Sequence, residues 1–163
     1  MLKVESQTLG APGPGEVRVG HRAVGLNFID TYHRSGLYPV PLPSGLGLEA
    51  SGVVEAVGEG VTRFAVGDRV AFGSGALGAY ASASLRSEAQ LLPVPEGVSD
   101  EAAAAIMLKG MTAAYLLTQT RVLTAEDTIL LHAAAGGTGL LMLQWAKDLG
   151  AKVIGVVGSE EKA

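Results

Sequence analysis

The chain has no cysteine, so disulfides and thiolate metal sites are both excluded. It has no basic block either, and its formal net charge is −4, so nucleic acid is not expected as a principal partner. No apolar run is long enough to span a membrane. Residues 129–145 come nearest, yet they hold His132, a glycine pair and Gln144, and they fall short of the roughly 20 residues a span needs. Lys3 and Glu5 interrupt the opening residues, so no signal peptide reads there and a cytoplasmic setting is expected. Internal repeats and low-complexity segments are lacking as well. What is present is a globular composition, with 48% hydrophobic and 17% charged residues. The length of 163 residues suits one ordinary domain or two small ones.

The most informative stretch is residues 128–158. Residues 128–132 (TILLH) are an apolar run of strand length, followed at once by the turn AAAGGTG at 133–139. Residues 140–149 then read as a helix, with Leu140, Leu143, Gln144 and Lys147 stepping at three- and four-residue spacing. Gly150 ends it, and residues 152–157 form a second run rich in β-branched side chains. This is a βαβ unit, whose turn is where the pyrophosphate of a dinucleotide sits. The helix opening there would aim unpaired N–H groups and its positive dipole end at a phosphate. Gly136 would allow close approach of the backbone, and Gly139 would let helix and strand pack tightly. The pattern is A-x-G-x-x-G (Ala134, Gly136, Gly139) with an extra Gly137 and Thr138. Its first glycine is an alanine. A glycine-rich packing turn is the competing reading, and the flanking strand and helix favour the cofactor.

The second strand bears on which cofactor. An NAD site expects Asp or Glu about twenty residues on, to accept the ribose hydroxyls. That place falls near Val157, where no carboxylate stands; Ser159 and Lys162 follow instead. A hydroxyl and an ammonium suit a 2′-phosphate, so NADPH is expected. Lys162 alone would read equally as a solvated lysine.

Residues before Pro95 have another character. Short β-prone runs at 16–19, 52–57, 69–72, 79–83 and 90–94 alternate with turn clusters at 10–15 and 39–47, suggesting a small barrel-like β domain. Pro93 and Pro95 mark its exit. Ser99 then reads as an N-cap with Asp100 and Glu101 in the first helical turn. Gly110 is expected to interrupt this helix, with a second segment over 111–119. The fold class is therefore mixed α/β: a β-barrel domain with an exit helix over 1–110, then the first βαβ unit of a Rossmann domain over 111–163. Barrel plus whole cofactor domain needs on the order of 300 residues, so the chain is expected to be a fragment.

Five segments together resemble the zinc-independent quinone oxidoreductases, the zeta-crystallin-like branch of the medium-chain dehydrogenase/reductase superfamily. They are AVGLNFIDTYHRSGLYP (23–39), GLEASGVVEAVGEGVTRFAVGDRV (47–70), ALGAYA (76–81), LKGMTAAYLL (108–117) and HAAAGGTG (132–139). They lie in family order and cover nearly the whole chain. The resemblance implies a GroES-like β domain joined to a Rossmann domain. Zinc-dependent relatives carry a zinc-binding Cys where this chain has Asn27 and a zinc-binding His where it has Leu48. Without a Lewis acid to polarise an alcohol, the resemblance implies no zinc and hydride transfer from NADPH to an electrophilic acceptor, a quinone. An enoyl or enone reductase of the same superfamily is the enzymatic alternative. A non-catalytic nucleotide-binding or crystallin-like structural protein is the other. Family members commonly dimerise, so a homodimer is implied for a full-length protein.

By the same resemblance, Asn27, Tyr32 and Thr112 would line the nicotinamide and substrate end. Lys109 would touch phosphate or ribose. Gly136, Gly137 and Thr138 would hold the pyrophosphate, and Ser159 with Lys162 the 2′-phosphate. On the residues alone, Asn27 reads equally as a turn residue bonding its own backbone, and Tyr32 as half-buried packing. Thr112 reads as an ordinary helix residue. His21, His33 and His132 show no metal-ligand spacing and are expected to be structural or solvated. Glu49, in an apolar run, is expected to be paired, because an unpaired buried charge is costly.

Overall fold

The computed structural model describes residues 2–163. They form two compact units, one ending at Met107 and one running from Leu108 to Ala163.

The first unit is built on an antiparallel five-stranded sheet in the order β4-β1-β2-β3-β5. Its strands are β1 (Glu16–Gly25), β2 (Glu49–Val57), β3 (Arg69–Phe72), β4 (Ala83–Ser87) and β5 (Leu92–Pro93). Alternation in β1 sends Val17 and Val19 inward, where they join Val54, Val70, Phe72 and Leu91 in one core. Register shifts between Arg18 and Val19 and between His21 and Ala23 add twist to this central strand. It can thereby serve β2 on one side and β4 on the other.

Three features differ from the sequence expectation. The fourth strand is displaced from 79–83 to Ala83–Ser87, because residues 79–82 are taken up in a loop. That loop is held by bonds from Ala79 N–H to the Gly47 carbonyl (3.2 Å) and from Tyr80 N–H to the Leu46 carbonyl (2.9 Å). A short helix, α1 (Phe28–Ser35), stands where none was expected. The Asp30 carboxylate accepts the Asn27 N–H at its start, and Gly36 ends it in the left-handed conformation. Gly110 does not break the exit helix: α2 runs unbroken over Asp100–Tyr115. Glycine costs a helix interior about 1 kcal/mol, which the burial of Ala103, Ala104, Met107 and Ala113 along the same helix offsets. Ser99 caps α2 as expected, its Oγ accepting the Ala102 N–H at 3.1 Å.

The same loop is fastened by His21. Its Nδ1 faces the carbonyl oxygens of Ala79 (3.1 Å) and Ala81 (2.8 Å), and its Nε2 faces the Ser84 hydroxyl at 2.8 Å. Nδ1 therefore carries the proton. Burial pulls the His21 pKa below its ordinary value, and nearby Arg86 adds to this, while the two carbonyls and Glu55 oppose it. The sign follows: unfolded chains take up the proton near pH 6.5 and the folded protein resists it. His21 thus contributes stability that is present above pH ~6.5 and lost as pH falls below that value. Urea unfolding of wild type and His21→Gln between pH 7.5 and 5 checks this. The wild type is expected to lose more stability on acidification; parallel losses would rule out His21 as the cause.

In the second unit α2 closes through a π turn (Leu116–Thr120) and leads to β6 (Thr128–His132), α3 (Gly137–Asp148) and β7 (Lys152–Val156). Leu117, Leu123, Ala146 and Ala151 form its core, with Ile129, Met142 and Val153 packed against them. The approach to β6 is pinned by Asp127, which accepts from Arg121, the Thr124 N–H and the Thr124 hydroxyl. Those donors, Arg121 foremost, hold its pKa down to about 2. The two strands pair in parallel from Thr128 opposite Lys152 to His132 opposite Val156. Their carboxyl ends are therefore level. Among the described residues, no helix is long and apolar enough to cross a membrane.

Candidate cofactor site

The site in the second unit is built where β6 and β7 end together. Ala134 N–H donates to the Val156 carbonyl (3.1 Å), tying the turn to the end of β7. Ala133 takes a left-handed φ of 53°, uncommon for a residue with a side chain, and so bends the chain sharply after β6. Gly136 is the N-cap of α3 and brings no capping side chain, so the first-turn N–H groups are left for a ligand. The helix starts at Gly137, three residues earlier than the sequence suggested, which puts Gly137, Thr138 and Gly139 inside its first turn. No acidic residue stands in that turn to repel an anion.

Two glycines here are fixed by close approach. A Cβ on Gly139 would run into the carbonyl oxygens of Ala133 and Ala134, which are backbone and cannot step aside. A Cβ on Gly155 would stand 3.0 Å from the Ala134 Cβ. At Gly137 the obstacle would be the Lys109 side chain, whose Cδ would lie 2.8 Å from an added Cβ. Lys109 therefore lies over the start of α3. A cavity of about 180 Å³ opens beside the turn, lined by Ala133, Ala135, Gly136, Val157, Gly158 and Lys162. The glycine turn and Lys162 thus line one small hollow, together with Gly136, the N-cap of α3. Ser159 precedes Lys162 as the N-cap of a 3₁₀ turn and makes no capping bond with its side chain. This donor set fits a phosphorylated dinucleotide: N–H groups and a closely approachable backbone for the pyrophosphate, a cation and a hydroxyl for a further phosphate. Thr112, also in this unit, is exposed, and its hydroxyl donates to the Leu108 carbonyl at 2.8 Å.

Asn27 and Tyr32 belong to the first unit, on and beside α1. Asn27 is buried, and its Nδ2 donates to Glu49 Oε1 at 2.7 Å. Glu49 is fully buried at the start of β2 and so has the partner that its position demands. A Cβ on Gly25 would collide with that carboxylate, so only glycine leaves it room. Tyr32 packs edge-on against Phe28 (5.3 Å) and lies 5.1 Å from Tyr38. His33 Nδ1 is buried without a hydrogen-bond partner, and His132 is exposed.

Two residues that sequence reasoning passed over complete this region. Asp30 is only 2% exposed. Its Oδ2 accepts both the Asn27 N–H (2.9 Å) and the Tyr80 hydroxyl (2.6 Å), while its Oδ1 has no partner. Burial, and then the Asp30 carboxylate, push the Tyr80 phenol well above its ordinary pKa. The Asn27-x-x-Asp30 spacing was a local capping signal for Asp30. Tyr80 had none, being 50 residues away.

A larger surface hollow, about 480 Å³, lies among Arg63, Phe64, Asp68, Arg69, Pro93 and Val94. Its guanidinium groups are already engaged, Arg63 with the Glu88 and Leu91 carbonyls and Arg69 with Asp100 and the Val98 carbonyl. It offers no aimed chemistry. Among the described residues, no group of three or more His, Asp or Glu side chains is placed to hold a metal ion.

Comparison with known proteins gives the family. Residues 13–126 match the family model of the alcohol dehydrogenase GroES-like domain. A quinone oxidoreductase of Pseudomonas aeruginosa is 62% identical over 153 residues, 93% of this chain and 47% of that protein. A 2-haloacrylate reductase of a Burkholderia species is 50% identical, covering 98% of this chain and 50% of that protein. The crystal structure of Escherichia coli quinone oxidoreductase complexed with NADPH superposes with a TM-score of 0.93 at 50% identity, over 98% of this chain and 49% of that one. The chain thus spans about half the length of the curated relatives it matches.

Proposed function

Because this chain belongs to the alcohol dehydrogenase GroES-like domain family, we propose that it serves an NADPH-dependent, zinc-independent quinone oxidoreductase. The observation that carries the proposal is the single hollow shared by the glycine turn, the open start of α3 and Lys162. Bound NADPH supplies a hydride from its nicotinamide, which a quinone accepts without metal assistance. The chain's own residues bind and orient. Gly137 and Thr138 present N–H groups to the pyrophosphate, and Gly136, whose own N–H is donated to the Ala133 carbonyl, lets the backbone approach it closely. Lys162 and Ser159 take the 2′-phosphate in place of the acid that an NAD site would carry. Lys109, lying over Gly137, adds positive charge beside the phosphates. The family resemblance assigns Asn27 and Tyr32 of the first unit, and Thr112 of the second, to the nicotinamide and substrate end. Asn27 stands where a zinc ligand stands in the metal-dependent relatives, and its amide is held by Glu49. A cytoplasmic, homodimeric enzyme is part of the same reading.

The similarity to a 2-haloacrylate reductase favours a second reading, reduction of an activated alkene by the same hydride. Steady-state assays of the full-length protein with NADPH separate the two, using a benzoquinone and an α,β-unsaturated carbonyl compound side by side. The proposal expects the quinone to have the higher kcat/KM. A reversed preference would replace quinone reduction with alkene reduction.

A further inference from the structure

The Asp30 carboxylate poses a problem of its own. It is buried, it receives two hydrogen bonds on one oxygen, and its other oxygen has no partner. A buried carboxylate needs its donors, and losing one leaves the group under-satisfied. One of the two is the N–H of Asn27, the residue whose side chain bonds Glu49. The other is the hydroxyl of Tyr80, brought in from a loop 50 residues away.

That loop is built to hold Tyr80 in place. The Tyr80 N–H bonds the Leu46 carbonyl, and the N–H groups of Gly78 and Ala79 both bond the Gly47 carbonyl. Gly47 has a φ of 89°, and a Cβ there would strike the Tyr80 ring at 2.5 Å from Cδ1. The Tyr80 ring therefore packs close to the bare backbone of Gly47, two residues before Glu49. His21 clamps the loop from the other side through the Ala79 and Ala81 carbonyls. Loop, helix start and strand start thus converge on one short path: Tyr80 to Asp30 to the Asn27 backbone, and the Asn27 side chain to Glu49.

We propose that Tyr80, acting through Asp30, is a positioning residue that fixes the orientation of the Asn27 side chain. This rests on the proposed function only in taking Asn27 as part of the nicotinamide and substrate end. The Tyr80 ring packs against the protein and its hydroxyl is spent on Asp30, so its contribution is geometric. Misplacement of an orienting group by about 1 Å is enough to cost on the order of a hundredfold in rate.

The test is Tyr80→Phe in the full-length protein, which keeps the ring against Gly47 and removes only the hydroxyl. Two readouts are taken. The first is the NMR signal of the Asn27 side-chain amide, which needs no activity; it is expected to shift or broaden. The second is kinetic: kcat for quinone reduction is expected to fall by about tenfold or more, with the Kd for NADPH unchanged. In an Asn27→Ala background the same substitution is expected to add less than about twofold, because the two residues act as one unit. An unmoved Asn27 signal overturns the proposal, as does an unchanged kcat or a full, additive loss in the double variant. A wild type that reduces no quinone at the expense of NADPH would instead overturn the proposed function, and the NMR readout would still decide the role of Tyr80.

Discussion

Gly139→Ala is expected to weaken NADPH binding at least tenfold and to lower the stability of the second unit by about 1–3 kcal/mol, the usual range for forcing an atom into a filled space. The reason is local and steric. An added Cβ at Gly139 meets the carbonyl oxygens of Ala133 and Ala134, both in the turn proposed to hold the cofactor. These atoms move only if the turn moves, and the turn is tied to the end of β7 through Ala134. Gly137→Ala is the control, because there the obstacle is the flexible end of Lys109. It is expected to cost less in both measurements. Isothermal titration with NADPH and urea unfolding of both variants make the comparison. Equal losses at positions 137 and 139 would show that close backbone packing is not what the second glycine provides.

Lys162→Ala is expected to weaken NADPH by about ten- to a hundredfold, the range for a hydrogen bond to a charged group, and to leave NADH unchanged. Lys162 lines the hollow beside Gly136 and Gly158, and β7 reaches its end without a carboxylate. A cation here has nothing to do with NADH, which lacks the 2′-phosphate. Because Lys162 is exposed, the contribution is expected to shrink as salt is raised. Equal loss of both cofactors would assign Lys162 to the pyrophosphate or to the fold.

The strand–glycine turn–helix unit was legible in the sequence because everything it needs is local. Strand, bare glycines and helix follow one another within about thirty residues, and the structure adds only that α3 begins at Gly137 instead of Leu140. The strands Arg69–Phe72 and Thr128–His132 were equally plain, as apolar runs between turn residues. The fourth strand was not. Small residues alternate as well over 79–83 as over 83–87, and the true strand carries Arg86, which is 3% exposed with its guanidinium 4.1 Å from the centre of the Phe72 ring. A buried arginine breaks the apolar pattern that strand reading depends on. Helix α1 was missed for a different reason. Its signal, Asn27 with Asp30 three residues on and Gly36 after the end, was present but only eight residues long, too few for helical periodicity to register. The Tyr80–Asp30 bond joins positions 50 apart, and no local rule reaches that far. The glycine turn is therefore written locally, while the contacts around Asn27 are written in long-range pairings.

Direct titration of the full-length protein with NADPH and with NADH, under one buffer and salt condition, bears most directly on the whole account. The glycine turn, the absence of a carboxylate at the end of β7 and Lys162 together predict at least tenfold tighter binding of NADPH. Equal affinities, or a preference for NADH, would contradict the reading of the 158–162 segment as a 2′-phosphate site and with it the cofactor on which the proposed reaction depends.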